Sequence, residues 1–167
     1  MCVALAALEA TVCVTGVNGD RAIPFAELHR LPGDMPELDS NLRPDEIITA
    51  IELPAKGFAD HCAYLKVRDR QSYAFALVSV AAALEMSDGT ITETRLALGG
   101  VAHKPWRDRE AEGLLNGKAA HPDHFGAVAE AMLRGARGFA HNTFKIALAK
   151  RAIVRALQHA ARGEERK

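Results

Sequence analysis

Y-L-K-V-R-D-R-Q-S-Y-A-F-A-L-V-S-V-A-A-A-L, Tyr64 to Leu84, is the stretch whose reading decides the fold. It joins a charged, polar loop directly to a strand of small apolar residues. Extended one turn of the alternation to Met86, the strand sets Val78, Val80, Ala82, Leu84 and Met86 on one face, because strand side chains alternate sides. Ser79, Ala81 and Ala83 fall on the other face. Side chains that small let a helix approach the sheet closely, which predicts an α+β fold, an antiparallel sheet backed by helices.

Working outward, His61 to Val67 reads as the preceding strand and Thr90 to Leu98 as the following one. Ser87-Asp88-Gly89 supplies the tight hairpin between the last two. Three helices are expected next. Asp108 is a good N-cap for a segment ending near Asn116, with Gly117 as its stop. Pro122 sits at the first turn of the second, whose stripe is Phe125, Val128, Met132 and Leu133, and Gly138 is expected to end it. Asn142 is expected to cap the third, which presents Phe144, Ile146, Leu148, Ile153, Val154 and Leu157. Its basic C-terminal half, with Lys150, Arg151 and Arg155, agrees with the helix dipole. The tail Gly163 to Lys167 is expected to fray. Three strands and three helices are thus expected beyond residue 60.

Upstream, residues 1–9 suggest a helix that buries Val3, Leu5, Ala6 and Leu8. T-V-C-V-T-G, Thr11 to Gly16, is a strand, Asn18-Gly19 a hairpin turn, and Arg21 to Ile23 the returning strand. Pro24 opens a helical turn through Leu28. Leu31 to Arg43 is a loop, and Glu46 to Leu53 is a strand ended by Pro54. Ala55 to Asp60 marks the boundary between residues 1–54 and the domain that follows.

Apolar residues make up 49% of the 167, enough for a real core. Lysine and arginine total 21, as do aspartate and glutamate, and this balance gives no case for nucleic-acid binding. The charge is uneven: residues 1–60 carry four basic against ten acidic side chains, and residues 143–167 seven against two. Such asymmetry could orient a partner, and a solvated helix end explains the last segment equally. No apolar run is long enough to span a bilayer. Cys2, Cys13 and Cys62 are widely spaced, so no zinc or cluster motif is written here. They read as reduced thiols, suited to a cytoplasmic protein.

A catalytic constellation is hard to assemble. His121 and His124 lie three apart at a helix start, yet no acidic or thiol ligand sits at a matching spacing, so capping is expected and no metal site is assigned. Gly99-Gly100 lacks the third glycine and the helix start of a dinucleotide fingerprint, and reads as a strand end. Trp106 could stack on a ligand or pack beneath the helices. The loop Lys66 to Tyr73 holds Lys66, Arg68 and Arg70 near Asp69. A lysine there could stabilise negative charge on a flavin and a tyrosine could cover one ring face; a solvated loop with local ion pairs is the plainer alternative.

The strings M-C-V-A-L-A-A-L-E-A, F-A-E-L-H-R-L-P-G-D, P-D-E-I-I-T-A-I-E-L-P, Tyr64 to Leu84, and L-A-L-G-G-V-A-H-K-P-W-R together resemble the FAD-binding (medium) subunit of molybdenum hydroxylases, the xanthine dehydrogenase, aldehyde oxidoreductase and carbon monoxide dehydrogenase family. The resemblance begins mid-domain at Met1, so the chain is expected to be the C-terminal portion of such a subunit. It implies that residues 1–54 are the C-terminal part of an FAD-binding domain and residues 60–163 the flavoprotein C-terminal domain, with FAD between them. That second domain would be small, a three-stranded antiparallel sheet packed on a three-helix bundle. Ile48 would pack near the ring system, Lys66 would approach it, and Tyr73 would sit beside it. No residue of this chain would be catalytic. The resemblance further implies a large subunit holding a molybdenum cofactor, a small subunit holding iron-sulfur clusters, and electron flow through FAD to an acceptor. It places the glycine-rich phosphate loops upstream, so this polypeptide alone is expected to bind FAD poorly and to be inactive. A cytoplasmic location is expected, with periplasmic co-export beside a partner as the alternative. Two rival functions are a non-catalytic module for subunit assembly and an independent small-molecule enzyme built on the Lys66 to Tyr73 loop.

Overall fold

The computed structural model describes residues 1–55 and 58–163. The expected fraying of residues 164–167, and residues 56 and 57 of the expected boundary, lie outside the described residues.

The chain opens on a six-residue helix, α1 (Cys2–Ala7). Glu9 then takes a left-handed φ of 56°, which turns the chain into β1 (Thr11–Gly16). β1 pairs with β2 (Gly19–Pro24) through the expected hairpin, closed by Gly16 opposite Gly19, whose φ of 97° suits a residue without a Cβ. The short helix α2 (Phe25–Leu28) follows. After a loop tied by His29 opposite Ser40, β3 (Ile47–Glu52) pairs antiparallel with the other edge of β1. The sheet order is β2-β1-β3. Val12 and Val14 of β1 point into a cluster with Val3, Ile23, Phe25 and Leu28, whereas every residue of β3 is exposed.

The second sheet runs β4 (Cys62–Val67), β5 (Val78–Ser87), β6 (Thr90–Gly99), all antiparallel. A fourth strand, β7 (Lys118–Ala119), adds two pairs to the far edge and was not foreseen. α3 (Arg109–Gly113), α4 (Pro122–Met132) and α5 (Phe144–Arg162) form the helical layer. α5 lies on β4 and β5, α4 lies on α5, and the five-residue α3 bridges α4 and β6. The core joins the predicted strand face (Val78, Val80, Leu84) to Phe125, Val128, Ile153 and Leu157, all fully buried. Truncating a side chain of that size in such a core typically costs about 2–5 kcal/mol.

The small-residue face of the same sheet carries a helix too, but an unexpected one. α1 packs there, so that Ala81 and Ala97 belong to the cluster of the first unit. The two sheets are thereby joined by a single apolar cluster.

Three helix boundaries depart from expectation, the first being that α3 ends at Gly113, short of the expected end near Asn116. α4 stops at Met132, and the reversal uses Gly135 at φ 77° rather than Gly138. Asn142 does not cap the long helix: its Oδ1 accepts from Phe139 N at 2.6 Å and closes a 3-10 turn, Ala140–Asn142. Thr143 precedes α5 without a side-chain cap. Asp108 does cap α3 as read, accepting from Glu110 N and Ala111 N.

Candidate functional site

Strand alternation sets Ala63, Leu65 and Val67 of β4 against the core. Cys62, Tyr64 and Lys66 therefore face the side on which α1 lies, and all three are exposed. Lys66 pairs in register with Ser79, and Tyr64 with Ala81. Beyond Val67 the chain leaves the sheet and returns at Leu77, whose N–H donates to Val67 O at 2.8 Å. Lys66 Nζ donates to Ala74 O at 2.7 Å and so ties the strand to the loop's far limb. Arg70 donates to the carbonyl of Tyr73. An ammonium has three protons, and one is used here, which leaves donors for an acceptor outside the chain.

The tip of this loop is unusual. Tyr73 holds φ at 51°, a conformation uncommon for a bulky residue and typical of functional turns. The residue is 96% exposed, and Phe75 is 97% exposed. Two aromatic rings in water forgo burial worth about 1.5–3 kcal/mol for a ring the size of Phe.

Ile48 lies on the other sheet, opposite Val14. With Ile47, Ile51 and Leu53 it forms an apolar run exposed by 44–72%. β3 is also an edge strand with an unpaired side. The three residues expected near a ring thus divide into a lysine at the end of β4, a tyrosine on the loop that it ties, and an isoleucine on a separate bare strand.

A polar lashing holds the two units together. Glu112, 4% exposed, accepts from Leu96 N at 2.9 Å and from Arg107 Nε and Nη2 at 2.7 Å each. Arg107 Nη1 reaches Ala6 O and Glu9 Oε1, while Arg95 Nη1 reaches Leu8 O. Burial alone would depress the Arg107 guanidinium; the hydrogen bonds and charges of Glu112 and Glu9 outweigh it and raise its pKa. Both arginines therefore cap the carbonyl end of α1, where positive charge is favourable. Sequence reading missed this network, and its only local trace was an arginine directly before the Asp108 cap.

The remaining candidates take structural roles. His121 Nδ1 accepts from Asp123 N at 3.3 Å, as expected of a cap. No group of three or more potential metal ligands occurs among the described residues. Gly99 ends β6, and Gly100 turns the chain at φ 76°. Trp106 donates its Nε1 proton to Met132 O at 3.1 Å and stays 37% exposed. Desolvation pushes the Cys13 thiol up, and Glu52 adds to the effect, so the thiol is kept protonated and unreactive.

With this geometry in view, the profile of the CO dehydrogenase flavoprotein C-terminal domain matches residues 63–160. The chain belongs to that family. Residues 1–56 match a second profile, the FAD binding domain in molybdopterin dehydrogenase. Among curated relatives, the aldehyde oxidoreductase FAD-binding subunit PaoB of Escherichia coli is 43% identical over 161 residues, covering 96% of this chain and 47% of that protein. The nicotine 6-hydroxylase medium subunit of Paenarthrobacter nicotinovorans is 32% identical, covering 76% and 42%. The chain therefore spans about half the length of the curated relatives it matches. Among solved structures, the carbon monoxide dehydrogenase of Hydrogenophaga pseudoflava superposes with a TM-score of 0.85 at 27% identity, covering 98% of this chain and 56% of that one. Quinoline 2-oxidoreductase of Pseudomonas putida 86 superposes with a TM-score of 0.82 at 25% identity, covering 97% and 55%.

Proposed function

We propose that this chain is the flavin-facing C-terminal portion of an electron-transfer subunit of a molybdenum hydroxylase. The observation that carries the reading is the loop that thrusts Tyr73 and Phe75 into water while its base holds Lys66. These residues fit FAD. The ring of Tyr73 and the side chain of Ile48 offer apolar faces to a flat heterocycle, and Lys66 offers a proton donor and positive charge. When bound, FAD supplies the redox chemistry, taking electrons and passing them to an acceptor. This chain's residues hold and orient the ring, shield it from water, and place a cation where reduction builds negative charge.

The partners, on this reading, are a large subunit carrying a molybdenum cofactor and a small subunit carrying iron-sulfur clusters, with hydroxylation of an aldehyde or N-heterocycle occurring on the large one. The relatives' names support this: one is an FAD-binding subunit and one a medium subunit. The location on this reading is the cytoplasm, where widely spaced cysteines such as Cys2, Cys13 and Cys62 stay reduced. The experiment is to assemble the oxidoreductase with Lys66→Ala or Tyr73→Ala and measure FAD retained after desalting. Loss of flavin with the subunits still associated supports the reading. Full flavin retention in both variants contradicts it and favours a module for assembly alone.

A further inference from the structure

Behind the turn at Gly100, a half-open cleft of about 550 Å³ lies between the segment after β6, the end of α4 and the start of α5. Its floor is apolar and partly sealed: Met132 and Ala149 are 1% exposed, and Val101 and Ile146 are half-buried. One wall is the indole of Trp106, whose orientation is fixed by the hydrogen bond to Met132 O. The lining includes Arg134, Arg137 and Lys145 and no carboxylate. Lys145 Nζ donates to Gly100 O, which pins it across the cleft. Among the described residues the Arg134 guanidinium has no hydrogen bond or ion pair, and that of Arg137 has only the ring face of Phe139, 5.2 Å from its centroid.

We infer that this cleft is a binding site for a small, flat organic anion, an aromatic carboxylate in the first instance. The volume falls in the range of small-molecule sites, roughly 300–1,000 Å³, which are built from an apolar floor and a few converging polar groups. The apolar floor and the fixed indole accept a ring. The two uncommitted guanidiniums at the mouth each offer a planar fork that matches a carboxylate. A neutral ring would leave both forks unused, and a bare inorganic anion would leave the floor wet. The cleft shares none of Ile48, Lys66 or Tyr73, so it stands independently of the flavin reading.

The sequence contains one tryptophan, so a single indole N–H resonance reports on the cleft. The test titrates the ¹⁵N-labelled 167-residue chain with 1-naphthoate and, separately, with the neutral isostere 1-naphthylmethanol. Saturable shifts of the Trp106 indole and of the Gly100 and Gly135 amides by the acid are expected. The alcohol should bind at least about ten-fold more weakly, the loss anticipated for one charge-assisted hydrogen bond. The double substitution Arg134→Gln and Arg137→Gln changes two exposed side chains and should weaken the acid by a similar factor while the remaining amide spectrum stays folded. No shift of the indole signal by 1-naphthoate, equal affinity for acid and alcohol, or unchanged affinity in the double variant would each overturn the proposal.

Discussion

A methyl group at Gly99 would lie 2.5 Å from both Ser79 Oγ and Val3 Cγ2, so it would push on helix and sheet together. Gly99→Ala should therefore destabilise the chain by about 1–3 kcal/mol, the usual cost of overpacking a well-filled contact, read as a lower urea midpoint. The second residue-scale case is electrostatic. Hydrogen bonds from Arg21 and from Arg43 N hold the Glu46 carboxyl at about 2, well below its ordinary value. A carboxylate depressed in the folded state stabilises it above the unfolded pKa, and that contribution is lost as pH falls toward the folded value. The stability difference between the wild type and Glu46→Gln should thus be largest near neutrality and shrink between about pH 4.5 and 2, followed by urea titrations at stepped pH. At this scale the sequence was readable where chemistry is local. Asp108 accepts from the two N–H groups that follow it, and Ser87-Asp88-Gly89 turns as such triplets do. Asn142 was misread because it bonds backward to Phe139 N, a partner that its position before an apolar run does not reveal.

The helix α1 shows what pattern conveys between elements and what it does not. Ser79, Ala81 and Ala83 announce a close helix, because only small side chains allow that approach. They do not say which helix, and the occupant lies more than seventy residues upstream. A similar distance hid the lashing of Glu9 to Arg95 and Arg107, which lie more than eighty residues further along the chain. Glu112→Ala would leave the Arg107 guanidinium and Leu96 N–H without their buried acceptor. A loss of about 3–5 kcal/mol is expected, typical of removing one partner from a buried pair. Hydrogen exchange should then show α1 opening more readily than α5, since Arg107, on its carbonyl end, would lose the carboxylate that orients it. Uniform destabilisation with α1 still protected would show that the network does not hold that helix. β7 escaped notice for a related reason: two residues carry too short an alternation to read.

For the whole molecule, the division into a bare apolar strand and an aromatic-tipped loop is the central finding. Neither surface is explained by the fold's own needs. The hydrophobic pattern of Glu46 to Leu53 foretold a strand, yet it did not foretell that all six residues of β3 stay exposed, whereas β2 at the other edge of the sheet buries Ile23. Likewise the charged letters around Lys66 foretold a loop, while the positive φ of Tyr73 and the outward turn of its ring come from closure by Lys66 and Leu77. If one flavin ring is shared by both surfaces, they must respond to it together. Hydrogen-exchange mass spectrometry of the assembled oxidoreductase, with FAD bound and after its removal, tests this most directly. Bound FAD should slow exchange in Ile47–Glu52 and in Lys66–Leu77 in parallel, and both effects should weaken in Lys66→Ala. Protection of neither segment, with the flavin nonetheless bound, would contradict the shared site.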